Sequence, residues 1–391
     1  MKRCWIHIGM PKTGTTSVQK NLAKVKKPAG WRYLVVGDRP NMGEALYAMF
    51  HPEPHQFHWF LKRGETRQQV EERGVVFRDE LRKAITECKE EVCIISAEIL
   101  SIFKPEGIVA LRDFIEPLVD EIRIIGYARP PGAFKTSMFQ QQVKHGTNQF
   151  RIDNISPHYR AKFNKFDKIF GRENVNLRKF DPGSFPNNCI VADFCQQIGI
   201  QLPEKTEILS SNESLSREAC GILYAYRKFG PGYGVGANVI KENAWVIRTL
   251  LGMQGTKLKF SKSVIDQALK KEKDDTLWME NRLGVSLEER DLGGGGEIST
   301  ETELLTIRRC SCEEFARCCK ELHGIELALD TLPAGELVDP AEVAKIVETY
   351  RGICGKLVRK RLRRKLSKRE RSKSGFRGFL DRAISFCARR S

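Results

Sequence analysis

Along the first 200 residues, short apolar runs alternate with segments of helical spacing. The runs are Trp5–Ile8, Tyr33–Val36, Val92–Ser96, Ile122–Tyr127 and Val175–Lys179. All have strand length, and the first four have few polar positions, as in strands buried on both faces. Helical patterns lie between them, for example Glu80–Glu91 and Val109–Leu118. Residues 184–198 set Ile190, Phe194 and Ile198 on one helical stripe. This alternation predicts an α/β fold with a parallel, doubly wound sheet flanked by helices.

The pattern then changes. Residues 205–290 read as mainly helical, with a loop at Gly230–Gly236. Four glycines at Gly293–Gly296 read as a linker. Residues 299–352 hold two or three helical patterns, and from Lys356 onward the chain is dense in charge. The organisation expected is an α/β domain with a helical substrate-side segment over 1–292, a linker over 293–298, a helical extension over 299–355 and a tail over 356–391.

Composition refines this picture in two places. The 391 residues are 41% hydrophobic, ample for one substantial core. The net charge of +17 is concentrated: residues 356–391 hold 15 Lys/Arg against 2 Asp/Glu, or +13, which leaves +4 for the other 355. In the tail, Leu357, Val358, Leu362 and Leu366 stand among basic residues, followed by Phe376, Phe379, Leu380, Ile384 and Phe386. That pattern fits either an amphipathic segment at an anionic membrane surface or a solvated, disordered tail. No recognition motif for nucleic acid accompanies the charge. No stretch reaches the roughly 18 apolar residues of a membrane span. The N-terminus enters its first strand at once, so a signal peptide is not expected. The twelve cysteines include no C-x-x-C pair, which suits buried thiols in a reducing, cytoplasmic compartment. Cys310, Cys312, Cys318, Cys319 and His323 have the wrong separations for a usual zinc site, and core packing is the better reading.

Chemistry is concentrated at residues 6–19, Ile-His-Ile-Gly-Met-Pro-Lys-Thr-Gly-Thr-Thr-Ser-Val-Gln. A strand stops at Gly9, a loop holds Pro11, Lys12, Thr13 and Gly14, and Thr15, Thr16 and Ser17 open a helix. Loop amides and first-turn N–H groups converge there, and the helix dipole favours an anion. Gly9 and Gly14 have the separation of a Walker A loop, G-x-x-x-x-G-K-[ST], but Thr15 stands where its lysine belongs. The lysine sits inside the loop as Lys12.

This segment resembles the 5′-phosphosulfate loop of sulfotransferases that use 3′-phosphoadenosine 5′-phosphosulfate (PAPS). Its Pro-Lys-Thr-Gly-Thr-Thr is similar to the loop of their bacterial and carbohydrate-acting members. A second segment, residues 122–142, ends a strand at Arg129, breaks at Pro130–Pro131 and carries Ser137 on the next helix. The family's 3′-phosphate site is an arginine at a strand end and a serine eight residues later. A guanidinium fork and a hydroxyl suit a phosphate.

The resemblance implies a PAPS-dependent sulfotransferase with a P-loop-like core over about residues 1–220. It implies that PAPS is held by Gly9, Pro11, Lys12, Thr13, Gly14, Thr15, Thr16 and Ser17 at one end and by Arg129 and Ser137 at the other. Lys12 would contact the bridging oxygen, and no metal would be required. The implied acceptor is a hydroxyl, or an amine, of a saccharide, glycolipid or related metabolite. Relatives carry a Ser-x-Glu similar to Ser96-Ala-Glu98, which makes Glu98 the leading candidate for proton acceptor; its other readings are a cap of Ile99–Phe103 or the partner of a lysine. His7 is the histidine alternative, read either as a base or as a core residue. His51, His55 and His58 with Phe57 and Trp59 are either a sugar-stacking loop or a packed one, and His145 either lines an acceptor cleft or is polar surface. The segment Asn212–Ser216 resembles one that follows the core in bacterial members. The R-K-G segment of the cytosolic small-molecule branch has no clear counterpart. Two other readings stay open: a P-loop kinase, which would need a lysine before Thr16, and a non-enzymatic protein binding polyanions or membrane surfaces through the tail.

Overall fold

The computed structural model describes residues 1–26, 28–203, 206–209, 214–234, 237–289, 297–329 and 335–357. The glycine run 293–296, Asn212 and Glu213, and residues 358–391 of the basic tail lie outside these. In chain order the first half runs β1 (Arg3–His7), α1 (Thr15–Lys24), β2 (Trp31–Tyr33), α2 (Gly43–Phe50), α3 (His58–Arg63), α4 (Arg67–Thr86), β3 (Val92–Ser96), α5 (Pro105–Ile115), β4 (Glu121–Ala128), α6 (Pro131–Lys144), α7 (Tyr159–Phe170), β5 (Val175–Lys179) and α8 (Ile190–Ile198). The second half runs α9 (Arg217–Phe229), α10 (Ala237–Leu251), β6 (Lys259–Phe260), α11 (Lys262–Leu269), α12 (Lys273–Leu283), β7 (Glu297–Ile298), α13 (Glu301–Leu304), β8 (Ile307–Arg308), α14 (Arg309–His323) and β9 (Leu337–Val338), and residues 340–357 are helical.

The chain forms two compact units that interleave in sequence: Met1–Met138, Arg151–Asn212 and Lys262–Gly293 in the first, and Phe139–Phe150, Glu213–Ser261 and Gly294–Ser391 in the second. The first is an α/β layer structure around a five-stranded sheet of order β2-β3-β1-β4-β5, every neighbouring pair parallel. Four of the five predicted strands lie where expected, within two residues at their ends; the second forms at Trp31–Tyr33 and shares only Tyr33 with the predicted Tyr33–Val36. Helix α8 starts at Ile190 rather than 184 because Pro186 cannot donate in a helix interior and Asn187 and Asn188 take positive φ.

Side-chain alternation along β1 divides the core. Trp5 joins Val18, Leu22, Ile125, Tyr127 and Phe194 in one buried cluster beneath α1 and α8. His7 is on the same side, 5.0 Å from the Phe194 ring. A doubly wound parallel sheet exposes its loops at the strands' C-terminal edge, where ligands of such folds bind. His7, Ser96 and Ala128 end the three central strands there.

The second unit is mostly helical. Its polar interior is organised by Arg227, whose guanidinium donates to the carbonyls of Val143 and Lys144 and to Asn243 and lies 4.9 Å from the Tyr233 ring. Cys312, Phe315, Cys318 and Cys319 pack the buried face of α14, while Leu322 on the same helix is exposed. Among the described residues no helix is long and apolar enough to cross a membrane.

Candidate active site

The loop after β1 turns tightly because its backbone takes the conformations glycine allows. Gly14 caps α1 at φ +74° and faces Ile190, whose Cγ2 would stand 2.9 Å from an added Cβ. An added Cβ on Gly9 would meet Thr15 Oγ1 at 2.6 Å and the Glu98 Cα at 3.4 Å. The first position of the loop is thus closed in by the first residue of α1 on one side and by the segment after β3 on the other. Thr13 is fully buried and its hydroxyl donates to the Met10 carbonyl at 2.7 Å, which pins the loop from within. Lys12 carries a positive φ of 68°, an uncommon conformation for a side-chain-bearing residue.

Three features suit the loop to an anion. The first helical N–H groups of α1 have no carbonyl one turn back to accept them. Thr15 is buried, and its Oγ1 has no hydrogen-bond partner among the described residues. Thr16, Ser17 and Lys12 are half-buried around it. An orphaned buried hydroxyl at a helix N-terminus, beside a glycine whose Cβ would fill the space, fits a ligand oxygen.

Arg129, at the end of β4, reaches this loop: its guanidinium donates to the Lys12 carbonyl. The same guanidinium lies 5.5 Å from the Phe180 ring, and Tyr159 Oη donates to the Arg129 carbonyl at 2.5 Å. Burial lowers the Arg129 pKa from its ordinary value, partly opposed by the Glu289 carboxylate. Arg129 Nε is buried without a partner among the described residues. A desolvated cation with an unused donor fits an anionic ligand as well. Ser137 is buried on α6. The Glu289 carboxylate accepts the Ala133 N–H in the first turn of α6, and its Oε2 would stand 2.9 Å from a Cβ on Gly132. A side-chain anion already sits where α6 presents its positive end.

Glu98 follows β3 by two residues and opens a short 3-10 turn, Glu98–Ile102. Its neighbour Ala97 donates its N–H to the His7 carbonyl at 3.1 Å, which ties Glu98 to the end of β1. Glu98 is half-buried, and the N-cap of the turn is Ala97. His7 is fully buried. Its Nδ1 meets Ser96 Oγ at 3.0 Å, Gln19 Nε2 donates to the same hydroxyl at 3.1 Å, and burial pushes the His7 pKa down to about 3. A neutral imidazole bonded inside the core supports the loop from below. Among the aromatic candidates, Tyr47 stacks on His51 at 4.0 Å and on Phe57 at 4.5 Å, so these rings face one another, whereas His58 and Trp59 are exposed. His145 is exposed in the second unit.

Sequence reasoning did not reach Gln19, Phe180, Tyr159 or Glu289. Gln19 carried a signal, since it is four residues beyond Thr15 and so on the same face of α1. Glu289 carried none: it lies 160 positions from Arg129, and only the fold joins them.

No protein-family model matches the chain. It is 28% identical over 128 residues to an uncharacterized protein of Archaeoglobus fulgidus, a match covering 32% of this chain and 34% of that one. The chain thus spans about a third of the length of the curated relative it matches. Among solved structures it is similar to the sulfotransferase from Alicyclobacillus acidocaldarius, at 15% identity and a TM-score of 0.34, over 58% of this chain and 93% of that one. It is also similar to the sulfotransferase domain of the Synechococcus PCC 7002 olefin synthase, at 14% identity and a TM-score of 0.34, over 52% of this chain and 75% of that one.

Proposed function

We propose that the chain is a sulfotransferase that moves a sulfuryl group from PAPS to a hydroxyl of a saccharide, glycolipid or related acceptor. The observation that carries this reading is the hydrogen bond from Arg129 to the Lys12 carbonyl. It joins the loop after β1 to the end of β4, 117 positions apart, at one edge of one sheet. A nucleotide with phosphates at both ends of its ribose needs two such sites. A P-loop kinase needs a lysine before Thr16, and Thr15 stands there.

PAPS would supply an activated sulfuryl group, joined through a bridging oxygen to its 5′-phosphate. The α1 N-terminus, with Thr15 and Thr16, holds the 5′ end; Arg129 and Ser137 hold the 3′-phosphate. Lys12 places an ammonium at the oxygen where negative charge develops, a preorganised electrostatic contribution. Glu98 accepts the proton of the acceptor hydroxyl, from a half-buried position just beyond the C-terminal end of β3. His7, buried and neutral, positions Ser96 and the turn that follows. We propose separately that the basic segment 356–391 contacts an anionic membrane surface from the cytoplasmic side. Its removal should abolish co-sedimentation with phosphatidylserine vesicles and spare transfer to a soluble acceptor.

Calorimetry of 3′-phosphoadenosine 5′-phosphate (PAP) beside ATP, with wild type and Arg129→Ala, tests the main reading. Micromolar PAP binding that exceeds ATP binding and needs Arg129 is expected. Equal binding of ATP, or indifference to Arg129, would return the kinase and polyanion-binding readings.

A further inference from the structure

The residues assigned so far leave unused a cavity of about 490 Å³ whose wall is one face of α7. Arg160, Asn164 and Lys168 line it at i, i+4 and i+8, with Lys165 on the adjacent stripe and Phe103 and Pro105 opposite. The stripe is about 12 Å long at the helical rise. All of these residues belong to the first compact unit.

Its charge is one-sided. Arg160 and Lys168 are exposed. Lys165 is buried; its ammonium donates to the Ser101 carbonyl at 2.6 Å and to the Ala161 carbonyl at 3.4 Å. Burial and the neighbouring Lys162 push the Lys165 pKa down to about 8, so the side chain is still mostly cationic at neutral pH and an anion brought close would stabilise that charge. The one acidic group of the lining, Asp275, already accepts the N–H groups of Tyr159 and Arg160 at 2.6 and 2.8 Å. The α7 N-terminus is therefore occupied, and an anion in the cavity would be met by the exposed side chains of Lys168 and of Arg160, whose guanidinium lies 5.8 Å from the Trp278 ring. His158, also in the lining, holds a left-handed backbone at φ 51°, a conformation that costs free energy and clusters at binding sites.

The cavity is joined to the proposed catalytic base by one short element. The 3-10 turn Glu98–Ile102 starts at Glu98, has its Ser101 carbonyl bonded to Lys165 and ends at Phe103 in the cavity wall. At about 2.0 Å per residue, five steps span roughly 10 Å. We propose that this cavity is the acceptor subsite for an anionic group, a carboxylate, sulfate or phosphate. It would lie on a molecule of about disaccharide size whose reacting hydroxyl sits at Glu98. The inference rests on the sulfotransferase reading for the role of Glu98. The cavity's preference for anions stands on its own lining.

The test uses a matched pair of probes, p-nitrophenyl β-glucuronide and p-nitrophenyl β-glucoside, which differ in one carboxylate. Each is titrated by calorimetry into the full chain in the presence of PAP, and PAP binding is measured on every variant. The glucuronide should bind at least tenfold tighter than the glucoside. That advantage should vanish in Arg160→Glu/Lys168→Glu and shrink in Lys165→Met, with PAP affinity unchanged. Equal or undetectable binding of the two probes overturns the proposal, and so does an advantage that survives the double substitution. If PAP fails to bind while the advantage is present and needs Arg160 and Lys168, the sulfotransferase reading falls and the anion subsite stands.

Discussion

The Arg129 guanidinium donates a hydrogen bond to the backbone carbonyl of Lys12. The arginine thus serves the loop's shape as well as any ligand, and the carbonyl it holds belongs to a residue in a left-handed conformation, at φ 68°. Such a conformation costs a non-glycine residue about 1–2 kcal/mol. Lys12→Gly and Lys12→Ala remove the same ammonium, but only glycine relieves the backbone. Lys12→Gly should therefore be more stable than Lys12→Ala by about 1 kcal/mol in a denaturant titration, offset in part by the entropy glycine loses on folding. Both variants should lose sulfuryl transfer. Equal stabilities would mean that the left-handed backbone at Lys12 carries no strain for glycine to relieve.

Gly9→Ala should damage the site through sterics alone. The new methyl would meet Thr15 Oγ1 at 2.6 Å, and Thr15 is buried and β-branched, so its hydroxyl cannot swing away freely. Overpacking of this kind costs about 1–3 kcal/mol. PAP affinity should fall by more than tenfold as α1 shifts from the loop. Unchanged affinity would show that the ligand does not enter between Gly9 and Thr15.

How much of this was legible beforehand follows from what kind of signal each part carries. The strands were legible because a parallel sheet buries both faces, and runs such as Val92–Ser96 then have almost no polar alternative. The shape of the loop was legible because a tight turn from strand to helix needs glycine at set positions, and Gly14 caps α1 at φ +74°. The segment at Glu98 and the place of His7 were left between two readings, since both depend on neighbours from other elements: His7 reads as a base or a core residue until Ser96 and Phe194 close around it. Glu289 and the basic face of α7 escaped for the same reason. Charged residues on a helix look solvated in sequence, and only packing shows which of them line a cavity.

Glu98→Gln keeps the shape of the side chain and removes its ability to take a proton. A general base contributes about 10²- to 10⁴-fold. We expect kcat to fall within that range with KM for the acceptor and the Kd for PAP within about twofold. A fall in PAP affinity of the same size would instead make Glu98 a support of the loop, whose Gly9 lies against its backbone.

The Glu289 carboxylate stands at the first turn of α6 beside Arg129 and so competes with any phosphate arriving there. Glu289→Gln keeps an oxygen for the Ala133 N–H and removes the charge. PAP should bind about fivefold tighter, the effect of roughly 1 kcal/mol of like-charge repulsion near a protein surface. The gain should shrink at 1 M salt, where the Debye length is about 3 Å. Weaker binding in Glu289→Gln would mean that the carboxylate orders the site instead of crowding it.

His7 gives a pH dependence with a definite sign. Burial depresses its pKa to about 3 in the folded chain, against about 6.5 in the unfolded one. As pH falls, the unfolded chain takes the proton first, so stability is fully present above about pH 6.5 and is lost progressively down to about pH 3. The slope is about 1.4 kcal/mol per pH unit, so between pH 7 and pH 5 this one group removes about 2 kcal/mol. His7→Gln retains a hydrogen bond for Ser96 and cannot titrate. It should be less stable than wild type at pH 7, since the wider amide repacks against Phe194, yet it should lose about 2 kcal/mol less on going to pH 5. Denaturant midpoints at the two pH values give the comparison directly. Parallel losses in the two proteins would place a proton on His7 in the folded state, and with it return the imidazole to the candidates for catalytic base.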